Sequence, residues 1–147
     1  MQIKNNLLFI GLVIFIISSF CIGCANDLPK SSKQSVNPFI EQSWQLTAIH
    51  GTPIDSPYLK TPFIVFDTSG RILGSFSCNN FFGTYMILNK KKIDISYTGS
   101  TKMLCSEMAL EKKFASALKS EISRYRMEDD TLVLFNKNGE VLRFKKE

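Results

Sequence analysis

The sequence contains few of the side chains that enzymes most often use for catalysis or metal binding. Its 147 residues include one histidine, His50, and four cysteines. A Ser-His-Asp or Cys-His arrangement would have to use His50, which stands before Gly51 at the end of a strand-like run. One histidine does not supply a zinc or copper site, and no glycine-rich loop is present to hold a phosphate. We therefore expect no catalytic residue, no metal and no cofactor, and we expect His50 to occupy a turn.

Positive charge is present but not concentrated. The formal net charge is +5, and the basic residues are scattered except at 90–92 and 145–146. Short lysine runs of this kind are typical of solvated turns and chain ends, whereas a nucleic-acid interface requires clustering on one face. We expect no nucleic-acid partner. Internal repeats are also absent, which predicts a single folded domain.

The one long hydrophobic run lies at the N-terminus. Lys4 precedes the uncharged stretch 7–20, as in a secretory signal. Gly23 followed by Cys24 resembles a bacterial lipobox, in which signal peptidase II cleaves before a cysteine that carries diacylglycerol. We predict a signal peptide over residues 1–23 and lipidation of Cys24. Two alternatives stay open: lipidation of Cys21, and an uncleaved anchor of about 17 residues, near the short limit for a membrane span.

The polar residues 24–38 have the composition of a flexible spacer. A lipid-anchored protein needs such a spacer to hold its folded body away from the bilayer. The export signals that send some lipoproteins to the cell surface are usually acidic, and this spacer has only Asp27. We therefore expect a protein of the bacterial cell envelope, held by its N-terminal lipid at the outer membrane and facing the periplasm.

Two cysteines remain for the folded body, because Cys21 would leave with the signal and Cys24 would carry lipid. The envelope permits disulfides, which predicts a bond between Cys78 and Cys105. Two buried free thiols are the alternative.

The periodicity predicts one helix among short strands. Apolar residues recur every four positions over 106–120, and Ser106 is a suitable N-cap. One helix cannot cover both faces of a flat sheet of this size. We therefore predict an α+β fold in which a curved, incomplete β-barrel has the helix packed into its open side. The eight predicted strands cover residues 44–49, 63–67, 71–77, 84–88, 93–97, 125–127, 132–135 and 141–144.

Several short motifs of the body resemble a known family. The most specific are Cys78-Asn79 and Thr101-x-Met103-x-Cys105, accompanied by Trp44-x-Leu46 and Glu111-x-x-Phe114. This pattern resembles the META domain of HslJ-like bacterial lipoproteins over residues 39–147. The family usually has glycine where this chain has Ser77. The matching motif positions are Gly74, Asn79, Gly83, Tyr85, Thr101, Met103 and Glu111.

The resemblance implies a small cracked barrel with a packed helix, an association with envelope stress or antibiotic tolerance, and no established enzymatic activity. Our first hypothesis is therefore a non-enzymatic protein that binds an envelope protein or peptide. The second hypothesis is that the protein binds a small apolar ligand in the barrel interior. The third is that it is a hydrolase built around His50. The interior ligand would contact Phe76, Phe82, Tyr85 and Phe114.

The motif residues themselves permit two interpretations. Asn79 and Asn80 either line a ligand cleft or bind local turn backbone, as asparagine often does. Thr101 and Met103 either form the far wall of that cleft or fix a loop. We expect Phe81 and Phe82 to lie in a loop. They either form an exposed binding patch or, as we expect, contribute at least one ring to the core.

Overall fold

The structure is a computed structural model that describes residues 37–55, 60–106 and 108–147. The predicted signal peptide, the predicted lipidation site Cys24 and nearly all of the predicted spacer lie outside these ranges. Among the helices of the described ranges, none has the length and apolar character needed to cross a membrane.

The described part of the chain contains nine strands and one helix, which confirms the predicted α+β class. The strands form one antiparallel sheet in the order β6-β5-β4-β3-β1-β9-β8-β7, and β2 pairs with β1 beside this path. The elements are β1 (Ser43–Ile49), β2 (Thr52–Pro53), β3 (Phe63–Phe66), β4 (Arg71–Ser75), β5 (Asn80–Ile87), β6 (Ile93–Ser100), α1 (Met108–Leu118), β7 (Arg124–Glu128), β8 (Thr131–Asn136) and β9 (Gly139–Lys146).

The sheet curls until its two edge strands, β6 and β7, meet at one end. A single bridge joins Lys92 to Arg124, and the backbone N–H of Tyr125 donates to the carbonyl of Lys91 at 3.0 Å. At the other end of β6 the chain leaves the sheet to enter α1. The barrel is therefore incomplete, as predicted.

The helix α1 closes the concave side of the sheet. Its predicted range, 106–120, agrees with the observed helix to within two residues at each end. Phe114 is fully buried, and its ring packs edge-to-face against Phe76 and Phe81 with centroids 5.2 and 5.5 Å apart. Burial of a large apolar side chain contributes about 1.5–3 kcal/mol. The buried face of the helix consists of Leu110, Phe114, Ala117 and Leu118.

The strand β2 is absent from the sequence-based prediction. Pro53 lacks the N–H that a central strand requires, yet it pairs with Ala48, and Thr52 pairs with Ile49. The turn between β1 and β2 is His50-Gly51, with φ angles of 49° and 74°. Positive φ at both central residues is characteristic of a two-residue type I′ hairpin. Proline is tolerated here because β2 is a sheet edge.

Gly74 marks a close approach between three strands. It pairs with Ile64 of β3 and with Phe81 of β5. A methyl group at this position would overlap both the carbonyl oxygen of Phe63 and the ring of Phe81. The Phe81 ring, 2% exposed, thus covers the glycine backbone and joins the aromatic core.

We expect Gly74→Ala to lower the free energy of unfolding by about 1–3 kcal/mol, because the added methyl displaces backbone or a core ring. Equilibrium urea unfolding would measure this loss as a lower midpoint. Gly99→Ala is the matched control: its nearest contact is the half-exposed ring of Phe82, 3.3 Å away, which can move. Equal midpoints for the two variants would contradict the packing role of Gly74.

Candidate functional site

The connection from β4 to β5 is a tight turn that directs Asn79 into the protein. The backbone N–H of Phe76 donates to the carbonyl of Asn79 at 2.8 Å. Ser77 has a φ of 110°, a conformation that favours glycine. The turn is formed here with serine at the position where the family usually has glycine. As a result the Asn79 side chain is fully buried, with 0% exposure.

The amide of Asn79 uses all of its hydrogen-bonding capacity. Its oxygen accepts from the hydroxyl of Thr101 at 2.7 Å and from the backbone N–H of Met103 at 2.8 Å. Its nitrogen donates to the carbonyl of Met103 at 3.0 Å and to the Glu111 carboxylate at 2.9 and 3.0 Å. We call these four residues the Asn79 clamp. The clamp joins the β4–β5 turn, the loop after β6 and the first turn of α1.

Two further connections fix the loop that follows β6. Asn80 and Thr101 are joined twice: the Asn80 N–H donates to the Thr101 hydroxyl, and the Thr101 N–H donates to the Asn80 carbonyl. A disulfide joins Cys78 to Cys105, with Cα atoms 6.4 Å apart, as predicted. The loop 101–105 is therefore attached at its start, its middle and its end.

The clamp leaves the apolar side chains of this loop in solvent. Met103 is 54% exposed and Leu104 is 95% exposed, although the backbone of Met103 is bonded through both its N–H and its carbonyl. We call Met103 and Leu104 the apex. An exposed apolar pair on a fixed backbone is unusual, because loops of this kind usually carry polar residues.

The predicted motif residues thus fall into two groups. Asn79, Thr101, Met103 and Glu111 meet in the clamp, beside the disulfide. Gly74, Gly83 and Tyr85 lie elsewhere and serve packing. A methyl group on Gly83 would overlap the carbonyl oxygen of Ser96 and contact Ile72.

Tyr85 supports the turn between β3 and β4. Its hydroxyl donates to the backbone carbonyl of Asp67 at 2.7 Å, and burial raises the pKa of this phenol. The Asp67 carboxylate accepts from the hydroxyl of Ser69 and from the backbone N–H of Arg71. These hydrogen bonds, the one from the Ser69 side chain above all, hold the pKa of Asp67 well below its usual range.

The predicted strand 71–77 was two residues too long. The strand β4 ends at Ser75, so Cys78 does not continue its alternation and is half-buried at the surface. The placement of two phenylalanines was also wrong. Phe81 and Phe82 lie in β5 rather than in a loop, and as expected one of them, Phe81, is in the core. Phe82 is 50% exposed on the outer face of the sheet, so it does not line the barrel interior.

His50 occupies the β1–β2 turn, as expected, and it borders a surface cleft that Asp55 and Ser116 also line. Within the described ranges, no hydrogen bond joins the side chains of these three residues. The described ranges also contain no group of three histidine, cysteine, aspartate or glutamate residues placed to hold a metal ion.

Fold and clamp together define a small, helix-filled, incomplete β-barrel domain with a disulfide-fixed loop. The family model for the META domain matches residues 37–147, and the chain belongs to this family. This confirms the resemblance drawn from the motifs. No curated protein matches the sequence.

Solved structures share the fold at low sequence identity. A protein from Burkholderia xenovorans, solved by NMR, has 21% identity and a TM-score of 0.56, with 75% of this chain and 84% of that one covered. A crystal structure of a DUF4847 family protein from Bacteroides vulgatus has 16% identity and a TM-score of 0.59, covering 73% and 93%. A further NMR structure has 24% identity and a TM-score of 0.55, covering 75% and 94%. At these identities the likeness concerns the fold.

The link from Asn79 to Glu111 was missed by the sequence analysis. The two residues are 32 positions apart, and Glu111 lies outside the buried apolar face of the helix. Both were noted as motif positions, but neither periodicity nor local turn chemistry indicates that they meet. That Asn79 is buried, and can therefore reach Glu111, is visible only in the structure.

We expect Asn79→Asp to lower the free energy of unfolding at pH 7 by about 3 kcal/mol. The new carboxylate keeps both acceptor bonds but cannot donate to Met103 or Glu111, and it repels the Glu111 carboxylate. Repulsion from Glu111 raises the folded pKa of the new carboxyl above its unfolded value of about 4. The loss is therefore full above the raised pKa, shrinks as the pH falls from there towards about 4, and is smallest below that pH.

Thermal unfolding of the wild-type protein and of Asn79→Asp between pH 3 and pH 7 would measure how the loss of stability depends on pH. Asn80→Asp is the matched control, because it adds the same charge at the neighbouring, exposed position. A loss that is equal in the two variants, or independent of pH, would contradict the clamp.

Proposed function

We propose that the protein is a non-enzymatic lipoprotein of the bacterial cell envelope that binds a partner protein or peptide through the apex, in the context of envelope stress or antibiotic tolerance. The observation that supports binding is the apex itself, Met103 and Leu104, exposed on a backbone that the clamp and the disulfide hold. The envelope address is supported by the lipobox-like Gly23-Cys24 and by a disulfide that suits an oxidising compartment.

Preorganisation is the physical reason to place binding at the apex. A loop that is already ordered loses little backbone entropy when a partner binds, so more of the apolar burial appears as affinity. Methionine suits such a surface, because its flexible thioether adapts to different partner shapes. Leu104, 95% exposed, would bury nearly its whole side chain on binding.

The apex and the start of the described body lie at opposite ends of β6. At the start of the described body, the Asn37 side chain donates to the hydroxyl of Tyr125, which in turn contacts the carbonyl of Asn89 in the β5–β6 turn. The apex loop leaves the opposite end of β6, a strand of eight residues that spans about 26 Å. The apex is therefore remote from the point where the described body begins.

The two other hypotheses receive less support. The interior that a small apolar ligand would need is occupied by the packed rings of Phe76, Phe81 and Phe114. The side chains of His50, Asp55 and Ser116 share a cleft border without the hydrogen bonds that activate a nucleophile. Ester hydrolysis by the protein that disappears in His50→Ala would contradict the non-enzymatic proposal.

We expect a photo-crosslinking residue at position 104 to capture a defined envelope protein in cells. Asn79→Asp in the same background should reduce the capture severalfold, because it removes the hydrogen bond to the Met103 carbonyl and makes the loop less ordered. The matched control is the same crosslinker at Leu88, which is 58% exposed at the opposite end of β5 and β6. Capture that is equal at both positions, or unaffected by the clamp variant, would exclude the apex as the binding surface.

We also expect the mature protein, extracted from membranes, to have a mass that corresponds to a chain beginning at Cys24 with attached lipid. Cys78 and Cys105 should resist thiol alkylation until the protein is reduced. Intact mass spectrometry with and without reduction reports both properties. A retained N-terminus would instead indicate an uncleaved anchor, and alkylation without reduction would indicate free thiols.

A further inference from the structure

A second surface feature lies apart from the clamp and shares no residue with it. A cleft of about 850 Å³ separates the β1–β2 hairpin from the outer face of α1. Its volume falls within the range of roughly 300–1,000 Å³ that is typical of small-molecule sites. The helix wall is formed by Ala109, Lys112, Lys113 and Ser116, whose spacing places them on one face.

The floor of the cleft is apolar. Ile49 and Leu110, 8% and 9% exposed, belong to the edge of the core, and Ile54 is half-buried beside them. Ala109 has a small side chain, so the helix wall leaves room in the cleft for a ligand. A ligand with an aliphatic body would bury apolar surface against these side chains, at about 25 cal/mol per Å².

The border of the cleft is mainly basic. Lys112 and Lys113 lie on the helix side and His50 on the hairpin side, and all three are exposed. Asp55 is the one carboxylate among the described residues that line the cleft. Since none of the salt bridges in the described ranges uses either lysine, both ammonium groups are available to an anion.

The hairpin wall does not favour the addition of a peptide strand. β2 has two residues, and one of them, Pro53, has no backbone N–H to donate. The charged side chains lie at the border of the cleft, and buried or half-buried apolar side chains form its floor. That arrangement suits a compact ligand whose charge and aliphatic part are at opposite ends.

We propose that this cleft binds a small amphiphile with an aliphatic body and a single anionic head group, such as a medium-chain carboxylate. The aliphatic body lies on Ile49, Ile54 and Leu110, and the head group lies between Lys112 and Lys113. This site does not depend on the apex, so partner binding and amphiphile binding can succeed or fail separately.

The test is a titration of the folded protein with decanoate, followed by amide chemical shifts in NMR. We expect saturable binding with one site, and the largest shifts at residues 49–54 and 109–116. Decan-1-ol, with the same chain and no charge, should bind about tenfold more weakly. Lys112→Gln combined with Lys113→Gln should weaken decanoate to a similar degree and leave decan-1-ol unchanged.

Lys90→Gln combined with Lys91→Gln is the matched control, because it removes the same charge from exposed residues outside the cleft. It should leave both affinities unchanged. Ala109→Trp is the second variant: it fills the cleft from the exposed helix face and should abolish the binding of both ligands.

Any of four results would overturn the proposal. The first three are the absence of saturable decanoate binding, equal affinity for the alcohol and the carboxylate, and an equal effect of the two lysine pairs. Chemical shift changes confined to the apex would also overturn it, since they would assign the ligand to the other surface.

Discussion

The described structure depends on one buried amide. Asn79 is fully enclosed and forms hydrogen bonds to two other parts of the chain: the loop after β6, through Thr101 and Met103, and the first turn of α1, through Glu111. A buried polar group stabilises a fold when every donor and acceptor is satisfied, and it is costly when one is left without a partner. Asn79 meets the first condition, so it specifies a single position for the loop and for the start of the helix.

The clamp matters because the barrel is incomplete. The edge strands β6 and β7 meet only through a short contact around Lys92 and Arg124, and the remaining opening is filled by α1. The helix is held from inside by Phe114 and from its first turn by Glu111. Apolar packing supplies most of the stabilisation, while the directional hydrogen bonds of Asn79 determine where the helix begins relative to the strands.

Two surfaces follow from this arrangement of the helix. The loop that leads into α1 displays the apex, and the outer face of α1 forms one wall of the cleft beside His50. Both surfaces combine apolar side chains with a backbone that is fixed by contacts elsewhere. The META family assignment and the solved relatives define the fold, and the functions of these surfaces are argued from the chemistry of this chain.

By itself the sequence determined most of the strands, the helix and the α+β class. Apolar residues recur at every second position in a half-buried strand and at about every fourth position in an amphipathic helix, and both patterns can be read locally. It also predicted the pairing of Cys78 with Cys105, with two free thiols as the alternative, and the structure has the bond. The exceptions were β2, a two-residue edge strand that contains Pro53, and the first half of β5, where Phe81 and Phe82 were assigned to a loop. Only the tertiary structure decided that Asn79 meets Glu111, that Cys78 lies at the surface and that Phe82 faces outward. These depend on one turn, where Ser77 adopts a φ of 110° and ends the alternation of β4.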